Sequence, residues 1–249
     1  MTRKLSEFKI SDWVLTVDLL GTKQRMSEAD WIDALKELLD TILVSVNQSM
    51  ASKLTGKDLK VFQYGDAITF AHDDVEELIC LGIRLQEELF GKDILAQFGL
   101  SGWGIYNLDD TTAHRLVKKK PEFKLQSIVG RGLARSHLLL HGIKGPRFII
   151  DEESHIPAKG KCWEKFIDGC PLKRYLSRSE LRWWKNIPNI KKVTSGRISN
   201  LEKEIGAEKA NKTHKSYRDR DTKRRIESLK KRLEHYKVFL DVLNWDSEL

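Results

Sequence analysis

Trp13-Val14-Leu15-Thr16-Val17-Asp18-Leu19-Leu20-Gly21-Thr22 is the stretch whose reading decides the fold. It is a β-branched and aromatic run that meets a single acid and then a glycine turn, which predicts a buried strand ending near Asp18. Downstream, Leu59-Lys60-Val61-Phe62-Gln63-Tyr64, then Gly65-Asp66, then Ala67-Ile68-Thr69-Phe70 reads as strand, tight turn, strand. Gly-Asp suits the tip of a short hairpin. Carboxylates at the ends of two adjacent strands can share hard divalent cations, which prefer oxygen ligands and accept carboxylates together with phosphates. Each acid taken singly also fits a structural role, Asp18 ending a strand or capping the next helix and Asp66 serving its turn.

Working outward, Ser27-Glu28-Ala29-Asp30 has the form of a helix start, and Trp31, Leu35, Leu38, Leu39, Ile42 and Val46 recur at helical spacing as far as about Met50. A second helix is expected between Asp73 and Phe90, started by Asp73-Asp74 and stopped near Gly91. Phe98 to Tyr106 reads as one strand containing small residues at Ser101, Gly102 and Gly104. After a Lys118-Lys119-Lys120-Pro121 loop, Ile128-Val129-Gly130 leads into a helix through Leu133, Leu138, Leu139 and Leu140, and Pro146 to Asp151 gives a further strand. This order of elements predicts an α/β sandwich, with helices packed on a largely antiparallel sheet of the ferredoxin-like palm type.

The 249 residues accommodate one large domain, or an ordinary domain plus an appendage. The division expected here is 1–176 for the palm and 177–249 for a basic helical extension. With 40% hydrophobic and 32% charged residues the chain should be soluble and globular. Cys80, Cys162 and Cys170 form an odd, sparse set without zinc spacing, which argues against a disulfide framework and for a reducing, cytoplasmic setting. No run of 18 apolar residues exists, so no membrane span is expected. Of the net charge of +8, Lys173 to Lys237 carries 21 Lys or Arg against 8 acids, a net of +13 that leaves −5 elsewhere. Such a segment suits nucleic acid, an anionic surface or simply solvent, and solvent is the plainer reading.

Trp163, Phe166, Tyr175, Leu176, Leu181, Trp183 and Trp184 offer apolar surface to close the domain, with Trp183-Trp184 as an interface anchor in the alternative. At the C-terminus Ile226, Leu229, Leu233, Tyr236, Leu240 and Leu243 form a heptad seam, and Ile198, Leu201 and Ile205 share its phase. Either two helices fold into a hairpin, or they dock on the body or on a second subunit.

The Asp18-Leu19-Leu20-Gly21 strand end and the Gly65-Asp66 hairpin tip together resemble the metal motifs of the class III nucleotidyl cyclases. Leu100-Ser101-Gly102-Trp103-Gly104-Ile105 looks like that family's glycine-containing strand. The resemblance implies a palm fold, conversion of a nucleoside triphosphate to a cyclic monophosphate plus pyrophosphate, and two Mn2+ or Mg2+ ions bridged by Asp18 and Asp66 with the Leu19 carbonyl. It also implies phosphate binding by Gly21, Thr22 and Lys23, near a helix N-terminus. Base contacts would fall on Phe62 and Ser127; Phe62 is neither the Lys nor the Glu by which the family's purine cyclases read their base. The family's ribose-holding Asn and its charge-stabilising Arg fall on Ala134 and Leu138, so Arg135 is the expected catalytic cation and Arg131 an expected nucleotide contact.

The small pyrimidine cyclases of a bacterial anti-phage system are similar over roughly residues 10–176, through Pro146-Arg147-Phe148-Ile149, Phe166-Ile167-Asp168-Gly169 and Tyr175-Leu176. That similarity implies a homodimer with sites built across its interface, a cyclic pyrimidine nucleotide made for antiviral signalling, and manganese use. A catalytically idle cyclase-fold protein and a nucleic-acid-binding protein are the alternatives.

Overall fold

Strand β2 (Trp13–Leu19) alternates as its sequence requires: Leu15, Val17 and Leu19 face one side of the sheet, Val14, Thr16 and Asp18 the other. The computed structural model describes residues 9–20, 39–42, 44, 59–64, 67–107, 128–154, 178–211 and 219–246. Within them β1 (Lys9–Ser11), β2, β3 (Lys60–Tyr64), β4 (Ala67–His72), helix α1 (Val75–Gly91), β5 (Ala96–Ser101), β6 (Ile105–Asn107) and β7 (Ile128–Val129) follow in chain order. Helix α2 (Arg131–Leu140), β8 (Phe148–Asp151), β9 (Arg178–Glu180), α3 (Ile190–Asn211) and α4 (Asp219–Asp246) complete them.

The main sheet runs β3-β4-β2-β5-β8-β9, and β1-β6-β7 form a small second sheet. Neighbouring strands are antiparallel except β5 and β8, which are parallel. Residues 39–42 are helical between β2 and β3, and α1 lies between β4 and β5. With the strand order second-third-first-fourth, this is the ferredoxin-like palm.

Helix α1 begins where Asp74 accepts hydrogen bonds from the Glu76 and Glu77 amides at 2.8 and 3.4 Å. Its buried Leu78, Ile79, Leu81 and Leu85 pack with Leu15, Val17, Phe70, Phe98 and Phe148 into the main core. Helix α2 covers the other face. It sits close because Gly99 of β5 has no side chain: a Cβ there would collide with the Ser136 carbonyl. Beneath it Ser136 hydrogen-bonds Thr16 at 2.7 Å, and Thr16 lies 3.4 Å from Thr69. Gly99→Ala should therefore destabilise the chain by about 1–3 kcal/mol by forcing α2 outward. A lower urea midpoint at unchanged slope would show it.

The expected single strand from Phe98 to Tyr106 is broken. Trp103 and Gly104 take φ of 76° and 68°, and the chain leaves the main sheet after Ser101 to join the small one at Ile105. Leu138, one of the apolar positions that marked α2, is 51% exposed. Cys80 is disulfide-bonded, contrary to the expectation from the sparse cysteines, and the argument for a reducing compartment loses that support. The expected Ser27 helix start lies outside the described residues.

Trp183 and Trp184 are buried in the main core, as cover rather than as exposed anchors. Trp183 stacks on Phe239 of α4 with centroids 5.4 Å apart, and its Nε1 donates to the Pro146 carbonyl at 3.2 Å. Helices α3 and α4 pack on each other and on the body, burying Leu201, Ile205, Ile226, Leu229, Tyr236 and Leu243 in the same core cluster. At its dock the Tyr236 hydroxyl and the Arg232 guanidinium both donate to the Asp93 carboxylate. Burial, then that carboxylate, raises the Tyr236 pKa above its ordinary value. The sheet's edge strand β9 lies just beyond residue 176, and the Arg147–Glu180 ion pair buried between β8 and β9 fastens it. No helix of the described residues is long and apolar enough to cross a membrane.

Candidate functional site

Asp18 ends β2 with its side chain half-buried on the face that carries Thr16. Its backbone lies opposite Ala67 of β4 on one side and Gln97 of β5 on the other. Ala67 is the chain neighbour of Asp66, which itself lies outside the described residues, as do Gly21, Thr22, Lys23 and Ser127. Leu19 follows with its side chain in the core, and β2 is extended by the Leu20 amide donating to the Leu95 carbonyl at 2.9 Å. Phe62 of β3 pairs with Thr69, which pairs with Thr16, so Phe62 shares the face of Asp18. It is half-buried against the cluster of Val14, Ala71 and Ile105.

Among the described residues no group of three or more His, Cys, Asp or Glu side chains forms a metal cage. A single strand-end carboxylate with a backbone carbonyl beside it has the hard-oxygen chemistry of a Mg2+ or Mn2+ ligand pair, with phosphates and a second carboxylate needed to complete the shell. Of Asp18 and Asp66, only Asp18 lies among the described residues, and its carboxylate is of the type such ions take.

A second constellation occupies the other end of this face. The Asp151 carboxylate, 0% exposed at the end of β8, accepts from Arg135 Nε at 2.8 Å and Nη2 at 2.6 Å. Ser101 Oγ and Ser154 Oγ each donate to it at 2.9 Å, and Trp103 Nε1 at 3.3 Å. Burial alone would push the Asp151 carboxyl up; the hydrogen bonds of Arg135, Ser101 and Ser154 outweigh it and hold the group below the ordinary carboxylate range. Hydrogen bonding to Asp151 likewise raises Arg135, against its own desolvation. The remaining Arg135 nitrogen, Nη1, lies 3.1 Å from Glu153. Arg135, expected as a catalytic cation, is thus committed within the protein. Arg131, one turn earlier, is exposed and sits over the Trp103 ring, its Cζ 3.8 Å from the centroid.

Within one chain these two ends stay apart. Asp18 faces Gln97 whereas Ser101 faces Val14, a separation of four residues along β5, or about 13 Å at the usual rise. Sequence reading missed Trp103, Ser154 and Asp151 as members of one cluster. The one available signal was an acid closing the apolar run Phe148-Ile149-Ile150, which on its own marks only a strand end.

No family model and no curated protein matches the chain. Among solved structures, the guanylyl cyclase Cya2 is similar at 11% identity over 68% of this chain and 90% of that one, with a TM-score of 0.47. A bacterial light-regulated adenylyl cyclase is similar at 10% identity over 69% and 90%, with a TM-score of 0.49. The adenylyl cyclase CyaB from P. aeruginosa is similar at 12% identity over 57% and 77%, with a TM-score of 0.43. These are likenesses of fold alone.

Proposed function

We propose that the chain is a nucleotidyl cyclase, converting a nucleoside triphosphate to a 3′,5′-cyclic monophosphate and pyrophosphate. The observation that carries this reading is the register of β2 on β4, which sets Asp18 opposite the chain neighbour of Asp66 on a palm sheet. Asp18, Asp66 and the Leu19 carbonyl hold the divalent ions. Bound there, Mg2+ or Mn2+ supplies Lewis-acid activation of the attacking hydroxyl and neutralises charge on the departing pyrophosphate. Gly21 and Thr22 offer backbone N–H groups to the phosphates and Lys23 a cation. Phe62 and Ser127 stand at the base, a pyrimidine in this reading, and the product serves antiviral signalling.

The chain acts as a homodimer. Asp18 and Arg131 lie at opposite ends of one face, so a two-fold axis lying in the plane of the interface, at right angles to the line joining those ends, sets each chain's Arg131 end over its partner's Asp18 end. The stabilising cation then comes from the partner subunit. Arg131 contacts phosphate, and Arg135 supports it from below through Asp151.

A mixture of two individually inactive variants tests the arrangement. Asp18→Asn and Arg131→Ala subunits, co-expressed, should recover about a quarter of wild-type turnover, because half of the dimers carry one intact site. Mixtures as inactive as the separate variants would contradict a shared site.

One observation favours a second reading. The positions that would carry the missing Asn and Arg, Ala134 and Leu138, are exposed on α2 without polar chemistry, as in an idle cyclase fold that binds nucleotide and regulates a partner.

A further inference from the structure

The constellation around Trp103 is costly for a surface turn with no task. Trp103 holds φ at 76°, a conformation that a bulky residue adopts only when its surroundings enforce it. The residue is nevertheless 40% exposed. The enforcement comes from beneath: the indole N–H is fixed on Asp151, which Arg135, Ser101 and Ser154 fix in turn. The Gly102 amide donates to Ser154 Oγ at 2.7 Å, tying the turn itself to the same hub. Above, the ring carries the Arg131 guanidinium, its Cζ 3.8 Å from the ring centroid.

A guanidinium held over an indole is already placed, so its side chain gives up less freedom when an anion arrives. Residues 131, 134 and 138 form the outward stripe of α2, and Arg131 is its cation. Among the described residues the anion near it is Glu153, at a loose 3.6 Å, and Glu153 sits closer to Arg135.

We infer that Trp103 is a positioning residue for Arg131, and that the pair forms a pre-set hook for a polyphosphate, with Glu153 as the internal anion that the ligand displaces. The inference rests on the reading of this face as the triphosphate-binding face, and deepens it by naming the group that orients the cation. Arg135 and Asp151 act at one remove, by holding the indole.

The test is equilibrium binding of inorganic tripolyphosphate to the full chain, by calorimetry with magnesium present. Arg131→Ala should weaken binding about tenfold, the worth of one charge-assisted contact. Trp103→Leu should weaken it to a similar degree with Arg131 still present, and the double variant should be no weaker than either alone, since the two act as one unit. Trp103→Phe, which keeps a ring but loses the Asp151 anchor, should fall between Trp103→Leu and wild type, and guards against a folding defect in Trp103→Leu. Glu153→Gln should bind more tightly than wild type, a gain that a merely structural role for the cluster would not give. Wild-type protein that fails to bind tripolyphosphate, Trp103 variants that bind like wild type, or losses that multiply in the double variant would overturn the inference. Turnover reports separately on the cyclase reading: a chain that binds tripolyphosphate through Arg131 and forms no cyclic product keeps this inference and loses that reading.

Discussion

Asp18→Asn is expected to lower turnover by about a thousandfold or more, which corresponds to about 4 kcal/mol of lost transition-state stabilisation. The change is nearly isosteric, and it removes the charge that two oxygens of a strand-end carboxylate present to a hard cation. Asp18 is only half-buried at the end of β2, so the urea midpoint without metal should stay within about 0.5 kcal/mol of wild type. Metal linkage supplies a readout that needs no turnover. Manganese at a hundred times its dissociation constant should stabilise the wild-type fold by about 2.7 kcal/mol, and the variant by much less. A variant that keeps both its turnover and its metal-dependent stabilisation would remove Asp18 from the site.

Arg135→Ala carries the largest expected effect on stability. Its guanidinium makes two hydrogen bonds to an Asp151 carboxylate with no exposed surface, so truncation leaves a buried charge without its cation. Breaking such a pair from one side costs about 3–5 kcal/mol. The pH dependence has a definite sign. In the wild type the folded Asp151 titrates below its unfolded value, so its contribution is complete above the unfolded carboxylate range and fades as pH falls below about 4. In Arg135→Ala burial has no opposing cation and pushes the carboxyl up, so protonation relieves the variant. The stability gap should be widest near neutral pH and narrow on acidification. A gap independent of pH, or a variant as stable as wild type with only turnover lost, would mean that Arg135 works as a substrate contact and not as the support of Asp151.

The parts of the fold that sequence disclosed are those governed by local pattern. The apolar run at Trp13–Leu19, the Tyr64–Ala67 connection and the α1 periodicity behind Asp74 each specify their element from within, and the palm order follows from how such units pack. The break at Trp103 had no such signal, because nothing local marks a tryptophan for positive φ; it is held there by Asp151, distant in sequence. Asp151 and Arg135 could not be paired by pattern either, since one ends a strand and the other faces it from a helix. The heptad seam of α4 picked out Ile226, Leu229, Tyr236 and Leu243 yet passed over Phe239, which is fully buried. A strict seam describes a helix with one neighbour, whereas α4 packs on α3 and on the Trp183 core together and needs a wider apolar stripe. Of the candidate site, the acids were legible as residue types at strand ends. The pairing of Arg135 with Asp151 and the place of Arg131 over Trp103 were not, because both depend on contacts between elements.

If Asp18 and Asp66 make this chain a cyclase, it releases a cyclic nucleotide that can be identified. Purified protein is incubated separately with ATP, GTP, CTP and UTP in the presence of manganese, beside Asp66→Asn protein, and the products are identified by mass spectrometry. A cyclic monophosphate from a pyrimidine triphosphate, absent in the variant, is the predicted result. No cyclic product from any of the triphosphates, with well-folded protein and with magnesium also tried, would contradict the claim and leave an idle palm.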